Sequence, residues 1–290
     1  LSFSDGEFHL FQVGLSECPV ALNSIWKQVR SIQTPSEHFE HQKKSFGLMG
    51  INSASSFRYE SLARQLAEHT RESDNLALNN ITLAHTLLVE GFKSRTYFPK
   101  LEIPTFKVPT VSIIIPAFNN VELTYHSIAS LILSYNKTPF EVIVVDDASN
   151  DLTKNIESFI KNIRVVRNSA NEGFLKSCKR AADLANGKFL LFLNNDTETT
   201  SGWIDELLAP MQNDPNVGIT GSKLLNEDGT LQESGGIIWR SGEVWNFGRN
   251  ENPFKPECNY TREVDYVSGA SLCIRKDLWK RVNGFSMEFA

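Results

Sequence analysis

From residue 111 onward, short apolar runs alternate with stretches of helical spacing. Val111-Ser-Ile-Ile-Ile115, Glu141-Val-Ile-Val-Val145, Ile163-Arg-Val-Val166 and Lys188-Phe-Leu-Leu-Phe-Leu193 each predict a strand. Their near-continuous apolar character suits strands buried on both faces. After the first comes a helical segment with Leu123, Ile128, Leu131, Ile132 and Tyr135 along one side. A helix is predicted from about Leu152 to Lys161, and another over Phe174 to Ala185, broken at Gly187. Strands alternating with helices of this length build βαβ units, so the expected fold class is α/β, a mostly parallel sheet flanked by helices.

Residues 1–107 follow a different pattern. Phe8 to Val13 predicts a strand and Asn23 to Ser31 a short helix, while Ser53-Ala-Ser-Ser56 predicts a loop. Helical spacing appears over Phe57 to Glu68 and over Asn75 to Phe92, where Leu76, Leu83, Leu87 and Leu88 trace one face. Pro99, Pro104 and Pro109 predict an extended linker lying over a surface. Two units follow: 1–107, an N-terminal extension or the tail of a preceding domain, and 108–290, the α/β unit. The chain opens on Leu1 with no leader-like segment, which predicts a piece of a longer protein.

Charge sharpens the division. Residues 1–107 carry 11 Lys+Arg and 11 Asp+Glu, so the net charge of −5 lies wholly in 108–290. No basic stripe points to nucleic acid. No apolar run approaches the length of a membrane span. Cys18, Cys178, Cys258 and Cys273 lie far apart with no C-x-x-C spacing, which predicts a reduced, cytoplasmic setting. Of the six histidines only His126 follows residue 108, inside a helical pattern that makes it a surface or packing residue. Chemistry in 108–290 therefore falls to carboxylates, amides and lysines, which disfavours Ser-His-Asp or Cys-His catalysis and a His-ligated zinc.

Polar clusters sit at the carboxyl ends of the predicted strands: Ala117-Phe-Asn-Asn120, Asp146-Asp147, Asn168 to Gly173, and Asn194-Asn195-Asp196. In parallel sheets, ligands bind at that edge. The first turn, Pro116-Ala-Phe-Asn119-Asn120, has no glycine, and the chain has no G-x-x-x-x-G-K-[ST]. A pyrophosphate would then be neutralised by a cation, and Asp196 offers the hard oxygen ligand that Mg²⁺ or Mn²⁺ takes.

Val111-Ser-Ile-Ile-Ile-Pro-Ala-Phe-Asn119, Val144-Val-Asp-Asp-Ala-Ser149, Asn171-Glu-Gly-Phe174 and Leu193-Asn-Asn-Asp-Thr197 resemble, in order and spacing, the signatures of glycosyltransferase family 2. The likeness continues through Gly229-Thr-Leu-Gln-Glu-Ser-Gly-Gly236 and Ser268-Gly-Ala-Ser-Leu-Cys-Ile-Arg275 to Gly284-Phe285. It covers roughly the last 180 residues and none of 1–107. The resemblance implies a GT-A fold and inverting transfer of a sugar from a nucleotide-diphosphate donor to a glycan or lipid-linked glycan. A larger parent protein that builds a surface polysaccharide is also implied, at the inner face of the membrane and with any membrane association lying elsewhere in that parent.

By position, Pro116, Ala117, Phe118 and Asn119 would border the nucleotide, largely through backbone. Asp147 would accept the base imide N–H, with Asn171, Gly173 and Lys176 around base and ribose. Asn194-Asn195-Asp196 matches the D-x-D-type turn with one acidic position, so Asp196 would hold the metal and the two amides would contact ribose or sugar. Asp146 reads as a turn-capping residue. Gly236, Trp239 and Gly269 are acceptor-side candidates, although Trp203, Trp239, Trp245 and Trp279 read first as packing residues.

The segment Val282-Asn-Gly-Phe-Ser-Met-Glu-Phe-Ala290 lacks the family's acidic pair, so the general base is expected beyond Ala290. Neither Glu288 nor Asp265 matches its position, and a C-terminally truncated catalytic domain is the expectation. The rival readings are a non-catalytic glycan-binding or scaffolding module, which the single acidic position favours, and a nucleotidyltransferase, which would want a glycine-rich first turn.

Overall fold

The computed structural model describes a two-residue strand at 2–3 and residues 98–289 apart from 135, 201 and 228. The strand and helices expected before residue 98 lie outside the described residues.

The first described segment is not a surface linker. Leu101–Glu102 (β1) pairs in parallel with Ile160–Lys161 (β4). Phe98, Leu101 and Ile103 are buried in the main core. Phe98 stacks on Phe159 at 4.9 Å, and the Tyr125 hydroxyl donates to the Pro99 carbonyl at 2.7 Å. Prolines at 99 and 104 frame the segment without breaking it, since a short edge strand needs few backbone donors.

Six strands form the central sheet. Val111–Ala117 (β2) is followed by helix α1, Val121–Leu133, then by Phe140–Asp146 (β3) and Arg164–Arg167 (β5). Helix α2, Phe174–Leu184, leads to Phe189–Leu193 (β6), and helix α3, Trp203–Asn213, to Ile219–Gly221 (β7). Two small hairpins come next: Leu224–Leu225 (β8) with Leu231–Glu233 (β9), and Gly236–Ile238 (β10) with Val244–Asn246 (β11). The last strand, Ser271–Arg275 (β12), runs into helix α4, Lys276–Arg281.

The spatial order is β5-β3-β2-β6-β12-β7. The first four strands are mutually parallel, and β12 runs antiparallel to both its neighbours. The mixed, mostly parallel sheet agrees with the expected α/β class. One face packs against α1, α3 and the 98–103 segment; the other packs against α2 and Trp279 of α4. Burial on both faces is why the central strands carry almost unbroken apolar runs. His126 is buried on α1, so it is a packing residue.

The predicted helix over 152–161 is instead a 3₁₀ segment, Leu152–Ser158, kinked at Asn155. The Phe159 carbonyl accepts from the Leu101 N–H at 2.8 Å and the Lys161 carbonyl from the Ile103 N–H at 3.2 Å. Residues 159–161 are thereby drawn into strand pairing, and tertiary hydrogen bonds override the local helical spacing.

β2 and β6 are neighbours, yet the chain leaves them toward opposite sides of the sheet: β2 leads to β3 and β5, and β6 to β7 and β12. Connections diverging from adjacent strands open a crevice at their carboxyl ends, where ligands of such sheets bind.

Candidate functional site

The floor of the crevice is made by the turns after β2 and β3. Asn119 and Asn120 both have left-handed backbones, with φ of 56° and 55°. Such conformations cost about 1 kcal/mol or more each for non-glycine residues, and specific bonds hold them. The Asn119 N–H donates to Ser149 Oγ at 2.8 Å, and Asn119 Oδ1 accepts from the Asn150 N–H at 2.9 Å. Asp151 Oδ2 accepts from the Val121 N–H at 3.0 Å, capping α1 from the neighbouring loop. The side chain of Asn119 is thus engaged in joining two turns, while Phe118 is exposed beside it. Asp146 accepts from the Ser149 N–H at 2.9 Å and lies 3.6 Å from Arg167 Nε, the turn-capping part expected of it.

Asp147 is 5% exposed and organises the next loop. Its Oδ1 accepts from Asn168 Nδ2 at 2.7 Å and from the Glu172 N–H at 2.9 Å; its Oδ2 accepts from the Gly173 N–H at 2.8 Å. Gly173, at φ 82°, is the N-cap of α2, so the carboxylate also sits where the helix dipole favours negative charge. Burial opposes its ionisation, but the donors of Glu172, Asn168, Gly173 and Ser177 outweigh it and hold the carboxyl below its ordinary range. Asn171 is exposed and its Oδ1 also accepts from the Gly173 N–H, at 3.2 Å. Lys176 is exposed on the first turn of α2.

Asn168 is the residue that sequence reasoning passed over. It is buried, donates to Asp147 and to Ser177 Oγ at 2.9 Å, and accepts from Arg180 Nη1 at 2.7 Å. Its place at the carboxyl end of β5 was the available signal.

At the end of β6 the three residues diverge. The Asn194 N–H donates to the Ala270 carbonyl at 3.0 Å, and its own carbonyl accepts from Thr197 Oγ1 at 2.6 Å. Asn195 Nδ2 donates to Thr124 Oγ1 of α1 at 3.0 Å, one of the several bonds a side-chain amide can make. Asp196 is exposed. Among the described residues, no three His, Cys, Asp or Glu side chains gather in a way that would hold a metal. One exposed carboxylate suits a Mg²⁺ or Mn²⁺ whose other ligands are water and phosphate oxygens, and it does not suit a cation held by protein alone.

On the far side of the Asn194 turn lies the segment 264–270. Gly236 and Tyr266 exchange backbone contact, the Gly236 N–H donating to the Tyr266 carbonyl at 3.0 Å. A Cβ on Gly236 would lie 1.9 Å from the Tyr266 ring, so only glycine fits there. Gly269 faces Phe174, with room for ordinary contact at 3.8 Å. Glu233 is buried, and its Oε1 accepts from the Ser268 N–H at 3.1 Å. Burial pushes its carboxyl up, against the pull of that N–H. Trp203 and Trp279 are buried packing residues as expected. Trp239 and Trp245 are not: they stand 45% and 56% exposed on the β10–β11 hairpin.

The chain was compared with known proteins. It is 30% identical over 201 residues to the O-antigen biosynthesis protein RfbC of Myxococcus xanthus, covering 66% of this chain and 16% of that one. It is 28% identical over 146 residues to an uncharacterized glycosyltransferase of Haemophilus influenzae, covering 47% and 43%. The chain thus spans less than half the length of either relative. A solved mannosyltransferase of Pyrobaculum calidifontis, in complex with GDP-mannose and Mn²⁺, is 17% identical, covers 80% of this chain and 59% of that one, and has a TM-score of 0.42. Likeness at that level assigns this chain no ligand. Residues 112–281, which hold every turn just described up to α4, match the Glycosyl transferase family 2 profile, and the chain belongs to that family.

Proposed function

We propose that residues 98–289 are most of a catalytic domain that transfers a sugar from a nucleotide-diphosphate sugar to a glycan or lipid-linked glycan, with inversion, in surface-polysaccharide synthesis. The observation that carries the reading is the crevice between β2 and β6. It gathers the Pro116-Ala-Phe-Asn turn, the Asp147-ordered loop and the exposed Asp196 at one sheet edge. Family membership and the likeness to a protein named for O-antigen biosynthesis support the class of product.

Each residue has a task in this account. Pro116, Ala117 and Phe118 border the nucleotide. Asp147 orders the 168–173 loop that borders the base, through the bonds it accepts from Asn168, Glu172 and Gly173. Asn171 and Lys176, both exposed at the start of α2, approach base, ribose or phosphate. Asn194 sets the turn against Ala270, and Asp196 holds Mg²⁺ or Mn²⁺ against the diphosphate. When bound, the cation neutralises charge on the departing nucleoside diphosphate. Asn195 positions the turn through Thr124.

In this reading residues 98–289 bind the donor, and the general base is expected beyond Ala290. Proton NMR of the anomeric signal during turnover of UDP-, GDP- and dTDP-sugars by a chain extended past Ala290 therefore tests the reaction. Inverting transfer predicts that one donor gives product of the opposite anomeric configuration. Retention of configuration overturns the mechanism. The lone acidic position at Asp196 favours one alternative, a non-catalytic glycan-binding module. That reading predicts nucleotide binding indifferent to Asp196→Ala.

A further inference from the structure

We propose that Trp239 and Trp245 form a platform that binds the pyranose chain of the acceptor; the proposal rests on the transferase reading above. The two residues belong to a short hairpin in which Ile237 pairs with Trp245 and Ile238 with Val244, Trp239 standing where the chain enters the connecting turn. Their rings meet edge to face, centroids 5.3 Å apart at 72°. The neighbouring pair, Ile238 and Val244, lies on the opposite face of the hairpin by strand alternation. Two large indoles side by side on one face, 45% and 56% exposed to water, oppose the hydrophobic effect unless something covers them.

The indoles are not what holds the hairpin. Gly236 is seated under the Tyr266 ring, Asp265 Oδ2 accepts from the Ile238 N–H at 2.9 Å, and the Tyr266 hydroxyl donates to Asn246 Oδ1 at 2.5 Å. With the backbone secured from that side, the tryptophans are presented on a rigid support.

Size and shape choose the occupant. A tryptophan buries 150–250 Å² when fully covered, so two half-exposed indoles offer on the order of 200 Å². A stable protein interface needs about 800 Å² per partner, several times more. An edge-to-face pair also makes an L-shaped corner, unlike the flat face that would lie along a bilayer. A pyranose ring fits it: its C–H face packs on an indole while its hydroxyls reach polar groups at the rim. Arg240 and Glu243, both exposed on the connecting turn, supply such a rim.

Position ties the platform to the donor crevice. Gly236 is bridged to Tyr266, and from Tyr266 the chain needs four residues to reach Ala270, whose carbonyl holds the Asn194 N–H. Four residues span at most about 14 Å, so a short oligosaccharide on the indoles can extend toward the Asp196 turn.

The test uses the whole chain with four probes: cellohexaose, chitohexaose, maltohexaose and isomaltohexaose. Binding is read by intrinsic tryptophan fluorescence and by calorimetry, with no nucleotide present. Stacking reads the apolar face of a pyranose rather than one hydroxyl pattern. At least one probe is therefore expected to bind with Kd of about 0.1–10 mM, and Trp239→Ala and Trp245→Ala to weaken it at least about tenfold. Trp245→Phe should retain part of the affinity, and circular dichroism melting of all three variants should match the parent.

Absence of binding by all four probes up to about 20 mM, or binding untouched by both alanine variants, overturns the proposal. So does a result in which the variants change only vesicle association or oligomeric state. Failure of UDP, GDP and dTDP to bind would sink the transferase reading while leaving the oligosaccharide titration intact, so the two failures are distinguishable.

Discussion

Replacing Asp147 with asparagine removes the charge that orders the 168–173 loop while keeping the side chain's shape. The amide oxygen can still accept from Asn168 and the Glu172 N–H. The amide nitrogen then faces the Gly173 N–H, a donor against a donor. The half-buried Gly173 N–H keeps its longer bond to Asn171 Oδ1, so losing its charged acceptor costs about 1 kcal/mol, and losing charge assistance on the other two bonds adds about 1 kcal/mol. The total of about 2 kcal/mol corresponds to a Tm lowered by about 4–8 °C in a domain of this size. Thermal melting at neutral pH reads it directly. The same carboxyl, held below its ordinary value of 3.8, adds stability that is fully present above that pH and lost as pH falls through the folded-state value. The gap between parent and Asp147→Asn should therefore close in acid. Equal melting temperatures at neutral pH, or a gap that widens below pH 4, would refute the claim that Asp147 is ionised and clamps the loop.

Glu233 predicts the opposite pH trend. Its carboxyl is raised by burial, so its stabilising form is fully present below the ordinary value of 4.5 and is lost as pH rises through the folded-state value. Glu233→Gln keeps an acceptor for the Ser268 N–H, and its melting temperature should fall less than the parent's between pH 5 and 9; a steeper fall would contradict the assignment. Gly236→Ala places a methyl against the Tyr266 ring and should cost about 1–3 kcal/mol or more by overpacking, seen in chemical denaturation. An unchanged midpoint would show that Tyr266 yields freely.

Much of this was legible in the residues and some of it could not be. The alternation of apolar runs and helical spacing located β2, β3, β5, β6, α1 and α2, because strands buried on both faces must be apolar throughout. The turns at their carboxyl ends followed from that topology. Leu101–Glu102 was hidden because its partner, Ile160–Lys161, is nearly 60 residues away and each strand is only two residues long. That Asn195 also braces its turn against Thr124 was hidden, since nothing in spacing reveals that the two stand side by side. Asn168 reads as one polar residue in a polar turn; its role as a hub depends on three partners brought together by folding. Exposure of Trp239 and Trp245 was equally invisible, because a three-residue strand is too short to show which face is covered.

The central claim is that the β2–β6 crevice binds a nucleoside diphosphate through a cation held at Asp196. Calorimetry of UDP, GDP and dTDP with and without Mn²⁺, on the parent chain and Asp196→Ala, tests it most directly. The account predicts that one nucleotide binds at least about tenfold more tightly with Mn²⁺, a linkage of about 1.4 kcal/mol, and that Asp196→Ala abolishes this enhancement. Because Asp196 is exposed, melting temperature should be unchanged in the variant. Nucleotide binding that is equally tight with and without Mn²⁺, or a Mn²⁺ enhancement that survives Asp196→Ala, would contradict the account.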